Sequence, residues 1–248
     1  MAATPTNTKK TIMPVFSTYI NWSLTANSPL FDDDNECDHI RRTLGPKQSV
    51  FFDHPVRYLP LSQEQNIYRT VMIDHIPVSA TIADVLREIR TGQVESIQLF
   101  DRIGNVTDFK TARVVFVYEN PAREIQIEAS LPGVFIQGRK VHVWIVLQPT
   151  YPRSSAMGEA ILNQGYTRLL VIGNVSPSTV ARLDRMLFPQ KKMGFIVDVR
   201  KTDDGKYDLV EFTSIAEAID AMKTLSLERG FENAVFDFQD DYCEPLNG

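Results

Sequence analysis

The chain has 248 residues, 43% of them hydrophobic and 23% charged, which excludes a wholly disordered chain. No apolar run approaches the roughly 20 residues of a bilayer span, and a formal net charge of −5 argues against a polyanion binder held by bulk charge. Two cysteines, Cys37 and Cys243, exclude a disulfide scaffold and a CxxC zinc site. A reducing compartment, nuclear or cytoplasmic, is therefore expected.

Residues 1–66 are expected to form a largely disordered arm. Residues 1–50 are rich in Thr, Asn, Ser, Pro and Asp, with no sustained period of 2 or 3.6. One apolar island (Ile12, Val15, Phe16, Tyr19, Ile20, Trp22 and Leu24) reads either as a docking peptide or as scattered apolar residues in a tail.

From residue 67 to 148 the pattern sharpens. A β-rich run at 70–73 ends at Pro77. Ile82, Val85, Leu86 and Ile89 then share a helical face, with Thr81 or Ser79 as cap. Val94–Phe100 alternates as a strand, and residues 112–118 form a second β-rich run. Asn120-Pro121 predicts a cap followed by a first-turn proline, before a helix carrying Ala122, Ile125 and Ala129. Residues 141–147 predict a last strand. The order is βαββαβ.

Residues 149–166 form a linker with two prolines and a short helix predicted after Ser154 or Ser155. Met157, Ala160 and Ile161 give that helix an apolar stripe, so the linker is expected to pack. The βαββαβ order then repeats over 167–242: strands at 169–172, 195–199, 207–212 and 234–238, a helix carrying Val180, Leu183 and Leu187, and a second helix opened by a Ser214–Glu217 capping box. Residues 243–248 are read as a tail. The fold class is thus α+β, two ferredoxin-like sandwiches in tandem, each a four-stranded antiparallel sheet with helices on one face.

The first and third strands of each repeat resemble the two signature motifs of the RNA recognition motif (RRM) family. The hexamers are Val71-Met72-Ile73-Asp74-His75-Ile76 and Leu170-Val171-Ile172-Gly173-Asn174-Val175. The octamers are Thr111-Ala112-Arg113-Val114-Val115-Phe116-Val117-Tyr118 and Gly205-Lys206-Tyr207-Asp208-Leu209-Val210-Glu211-Phe212. The chain is also similar to uncharacterised tandem-RRM proteins of filamentous fungi with degenerate motifs.

The resemblance implies that Val71, Ile73, Val114, Phe116 and Tyr118, and in the second repeat Leu170, Ile172, Val210 and Phe212, point toward the helices. It also implies RNA binding on the opposite, open faces, where family members stack bases on aromatics. Five of the six positions concerned lack an aromatic: Met72, Arg113, Val115, Val171 and Leu209. Only Tyr207 keeps one. Stacking contributes about 1–3 kcal/mol per base, so binding is expected to be weak or non-canonical.

Candidate RNA-binding residues are Met72, His75, Arg113, Val115 and Trp144 on the first repeat and Asn174, Lys206, Tyr207 and Leu209 on the second. Residues 69–148 carry nine basic and nine acidic side chains, and residues 167–248 carry ten and fourteen. The first repeat is therefore the better-suited nucleic-acid binder. A competing reading is a protein-interaction adaptor. It uses the apolar face of Val171 and Ile196 or the Arg229-Gly230-Phe231 loop, which matches the Arg-x-Phe signature of peptide-binding (UHM) RRMs. A third is mutual masking of the faces by arm, linker or the other repeat.

The four histidines, His39, His54, His75 and His142, are too dispersed for a metal motif, and no phosphate-cradling glycine loop exists. Neither enzyme, cofactor nor metal is expected. The expected partner is single-stranded RNA, with a protein partner as the alternative and no membrane.

Overall fold

The computed structural model describes residues 60–101, 108–176, 179, 195–202 and 205–244, and the backbone of 22–24 and 56–58. Residues 1–61 and 62–248 form separate compact units. In the first, β1 (Trp22–Leu24) pairs antiparallel with β2 (Val56–Tyr58), Trp22 opposite Tyr58. Residues 1–21, 25–55 and 59 of the expected arm lie outside the described residues, Phe51 and Phe52 among them.

The larger unit holds two four-stranded antiparallel sheets. The first is built from β3 (Thr70–Pro77), β4 (Val94–Phe100), β5 (Phe109–Phe116) and β8 (His142–Ile145), in the spatial order β4-β5-β3-β8. The second contains β9 (Leu169–Gly173), β10 (Ile196–Lys201), β11 (Asp208–Phe212) and β12 (Val235–Gln239), in the equivalent order β10-β11-β9-β12. Each thus has its first and third strands in the middle, the RRM-like arrangement.

The first sheet's core follows from strand alternation. Val71, Ile73, Val94, Ile97, Ala112, Val114 and Phe116 are buried on one face. They pack against Val85 and Leu86 of α1 (Ile82–Glu88) and Ala122, Ile125 and Ala129 of α2 (Glu119–Ser130). Each fully buried Ile or Phe contributes about 1.5–3 kcal/mol. Thr81 caps α1 reciprocally: its hydroxyl accepts from the Asp84 amide, and Asp84 accepts from the Thr81 amide at 2.8 Å.

Three local expectations differ. Helix α2 begins at Glu119 without a side-chain cap, and Pro121 is its third residue, where a missing N–H still costs no hydrogen bond. Tyr118 precedes α2 and is 44% exposed rather than facing the helices. Leu147, beyond the end of β8, is also exposed. A small hairpin, β6 (Phe135–Ile136) with β7 (Arg139–Lys140), precedes β8.

The second core contains Leu170, Ile172, Val210 and Phe212, with Ala218, Ala221 and Leu225 from α4 (Ile215–Ser226). The Ser214 hydroxyl accepts from the Glu217 amide at 3.1 Å, one half of the expected box. The predicted helix with Val180, Leu183 and Leu187 lies outside the described residues.

The linker packs. Ser154 caps α3 (Ser155–Leu162), whose Ala160 and Ile161 are buried against Val117 of the first repeat and Ile215 and Ile219 of the second. Tyr166 stacks on Phe238 at 4.2 Å. The exposed edge of β4 is also engaged: the Ile97 amide donates to the Thr213 carbonyl at 2.8 Å, and Ser96 bridges Ser214.

Candidate nucleic-acid interface

Antiparallel register sets which side chains meet on the first sheet's open face. Arg113 lies opposite both Met72 and Gln98, and Met72 lies opposite Trp144. One row across four strands therefore reads Gln98–Arg113–Met72–Trp144. Arg113 is exposed and Trp144 is 41% exposed. Neither has a hydrogen-bond or ion-pair partner among the described residues.

The next row reads Phe100–Thr111–Asp74–His142. Phe100 lies opposite Thr111, Asp74 lies opposite His142, and the Thr111 hydroxyl donates to Asp74 Oδ1 at 2.8 Å. Phe100 is 39% exposed. Between Ile73 and Ile76 the β3–β5 register shifts, and His75 takes φ = 64°. This bulge brings the His75 ring between Phe109, at 4.4 Å, and His142, at 4.6 Å, both stacked. Five rings thus surround a centre made of Arg113, Met72, Asp74 and Thr111.

The other end of this face is closed. Thr70 and Val115 are buried. The Thr70 hydroxyl shares a 2.9 Å hydrogen bond with that of Thr150, which also accepts from the Arg69 amide. Arg153 reaches back to Glu95 and to the Val117 carbonyl. The linker strap therefore lies where Val115 would have met a base, so Val115 offers no surface to RNA.

The second sheet differs. Its outward rows read Arg200–Leu209–Val171–Asp237 and Asp198–Glu211–Leu169–Gln239. Leu209, Glu211 and Leu169 are all buried. Tyr242 covers Glu211, donating its phenol to Oε1 at 2.6 Å, and Val197 packs against the first repeat's core. A cleft of about 590 Å³ remains between α1 and strands β10 and β11, lined by Ala83, Arg87, Arg90, Asp198, Arg200 and Glu211 among others. Tyr242, from the C-terminal segment, thus covers part of this sheet, and Leu209, which is buried, is not an open platform.

At the far end of the second sheet, Tyr207 is 39% exposed and lies over Gly173, where an added Cβ would come within 2.6 Å of its ring. Lys206 is exposed beside it, and Val171 is half-buried. Asn174 takes φ = 59°, close to the 64° of His75 at the same hexamer position. Both residues tolerate the left-handed region: at His75 it bulges β3, whose pairing resumes at Ile76, and at Asn174 it follows the end of β9.

Ile196 packs on the second core rather than facing outward. Arg229 is exposed, but Phe231 is 2% exposed and stacks near Phe236 at 6.2 Å within that core. In this conformation the loop presents no free aromatic clamp.

Phe100 and Phe109 belong to the site but were not singled out by the sequence reading. Outward alternation along 96, 98 and 100, and along 109, 111 and 113, is the signal that finds them. Among the described residues, no group of His, Cys, Asp or Glu could hold a metal ion, and no helix is long and apolar enough to cross a membrane.

No protein-family model matches the chain, and no curated protein does. Among solved structures, it is similar to RRM domains 1 and 2 of Prp24 from S. cerevisiae, at 15% identity over 70% of this chain and 96% of that one, with a TM-score of 0.29. It is similar to the first two RRM domains of the yeast poly(U)-binding protein Pub1, at 16% identity over 69% and 100%, TM-score 0.27. It is also similar to the RRM3 domain of Mip6, at 17% identity over 33% and 95%, TM-score 0.28.

Proposed function

We propose that the chain is a non-catalytic RNA-binding protein that holds single-stranded RNA weakly, in a non-canonical way, on the open face of its first sheet. The observation that carries this reading is the unpartnered row Arg113–Met72–Trp144, exposed and flanked by Phe100, His142, His75 and Phe109. Trp144 supplies the stacking platform that the signature positions lack. Arg113 supplies a planar cation for a base or a phosphate. Tyr207 and Lys206 offer a smaller exposed patch on the second repeat, whose face is otherwise largely covered. A nuclear or cytoplasmic location accords with this activity.

The test is fluorescence anisotropy of the full chain with a random single-stranded RNA pool at two salt concentrations. Micromolar, salt-sensitive binding supports the reading. No binding at low salt overturns it and leaves the adaptor reading, in which the chain serves as a protein surface.

A further inference from the structure

We infer that Asp74 sets base preference on this face, selecting bases that present an amino hydrogen (cytosine, adenine or guanine) over uracil. This inference rests on the RNA reading above. Asp74 is the one acidic side chain in the two open rows of the first sheet, at their centre, and its side chain is 21% exposed. Its neighbours fix one oxygen: Oδ1 accepts from the Thr111 hydroxyl at 2.8 Å and from the His75 amide at 2.9 Å. Among the described residues Oδ2 accepts no hydrogen bond, and His75 Nδ1, itself buried without a partner, lies 3.7 Å away, beyond hydrogen-bonding reach.

A carboxylate accepts and does not donate. Trp144 lies opposite Met72 and His142 opposite Asp74, so a base stacked on either ring shares the face of Asp74 and can turn an edge to Oδ2. Cytosine N4, adenine N6 and guanine N2 each bring donor hydrogens to that oxygen. Uracil brings a single N–H between two carbonyl oxygens, which repel the carboxylate. The Thr111 and His75 hydrogen bonds orient the group in advance, so little side-chain freedom is lost on binding.

The experiment compares decacytidine with decauridine, each fluorescein-labelled, against the full chain at one salt concentration. Decacytidine is expected to bind about tenfold more tightly. Asp74→Asn keeps the shape but presents either a donor or an acceptor, so the ratio is expected to fall to about twofold or less. Thr111→Val, which frees the carboxylate to rotate, lowers the ratio while the charge is retained. Equal binding of both oligonucleotides by the unaltered chain overturns this inference alone, as does a ratio that survives Asp74→Asn. If neither oligonucleotide binds, nor the random pool at low salt, the RNA reading is overturned, and this inference with it.

Discussion

Arg168 and Asp241, 73 residues apart, form a doubly hydrogen-bonded ion pair with no solvent exposure at either side chain. Arg168 Nε donates to Oδ2 at 3.0 Å and Nη2 to Oδ1 at 2.7 Å. Arg168 Nη1 reaches Glu211 at 3.0 Å, and Asp241 Oδ2 also accepts from the Val94 amide of the first repeat. One buried carboxylate thus ties the C-terminal segment to both repeats. Burial alone would favour loss of the guanidinium charge, but Asp241, with Cys243 and Glu211, outweighs it and holds the Arg168 pKa above its ordinary value.

Removing one partner of a buried pair leaves an uncompensated charge, which typically costs about 3–5 kcal/mol. Asp241→Asn is therefore expected to destabilise the 62–248 unit by about that amount, read as a lower urea midpoint with unchanged slope. A loss below about 1 kcal/mol would mean that Glu211 alone satisfies Arg168.

Cys243 follows the same segment into the first repeat's core. It is fully buried there, and its thiol lies 3.5 Å from the Leu86 carbonyl. Burial pushes its pKa up, and Asp241 adds to the shift while Arg168 opposes it. The unfolded thiol titrates near about 8.5. The contribution is therefore fully present below that pH and is lost as pH rises above it, because only the unfolded chain then releases the proton. Tyr242, whose phenol is raised by burial and by its hydrogen bond to Glu211, adds to the loss above about pH 10. Thermal unfolding between pH 8 and 10 should show falling stability, with a shallower decline in Cys243→Ala. In a Cys37→Ser background, a thiol reagent should label Cys243 only at the rate of unfolding. Rapid labelling under native conditions would contradict this burial.

These two residues show what was legible in the sequence. Alternation in β3 and β5 fixed which of Val71, Met72, Ile73, Arg113 and Val114 face the helices, because a period-2 pattern is local. Whether an outward position stays open is not local. Val115 and Leu209 point outward as expected, yet Val115 is closed by the linker and both are buried. The acidic run Asp240-Asp241-Tyr242 shows no neighbouring cation in sequence, because Arg168, which pairs with Asp241, is 73 residues away, and Glu211, which Tyr242 covers, is distant too. Phe231 gave the same three-residue signal as a peptide clamp, and only its packing against Phe236 separates the two readings. The His75 bulge, which assembles three stacked rings, carries no pattern beyond a His where the second hexamer has Asn174.

Trp144 separates binding from folding. It is part-exposed on β8, so Trp144→Ala should leave the unfolding midpoint within about 0.5 kcal/mol of the unaltered chain. Loss of a stacked base should weaken RNA binding by about 1–3 kcal/mol, or roughly 5- to 150-fold. Anisotropy and urea unfolding on the same preparation give both numbers. Unchanged affinity would remove Trp144 from the interface.

Arg113 makes an electrostatic prediction independent of stacking. If its guanidinium meets a phosphate, binding releases about one condensed counterion there. The slope of log affinity against log salt should then fall by about 0.7 in Arg113→Gln for a single strand. Arg113→Glu should weaken binding further by repelling the backbone, and the defect should shrink as salt rises, because screening acts on repulsion as it does on attraction. A salt-independent defect of the same size would instead mean that Arg113 stacks on a base. The conservative Arg113→Lys variant distinguishes these cases: a point charge restores the phosphate contact and its slope, but not a planar stack.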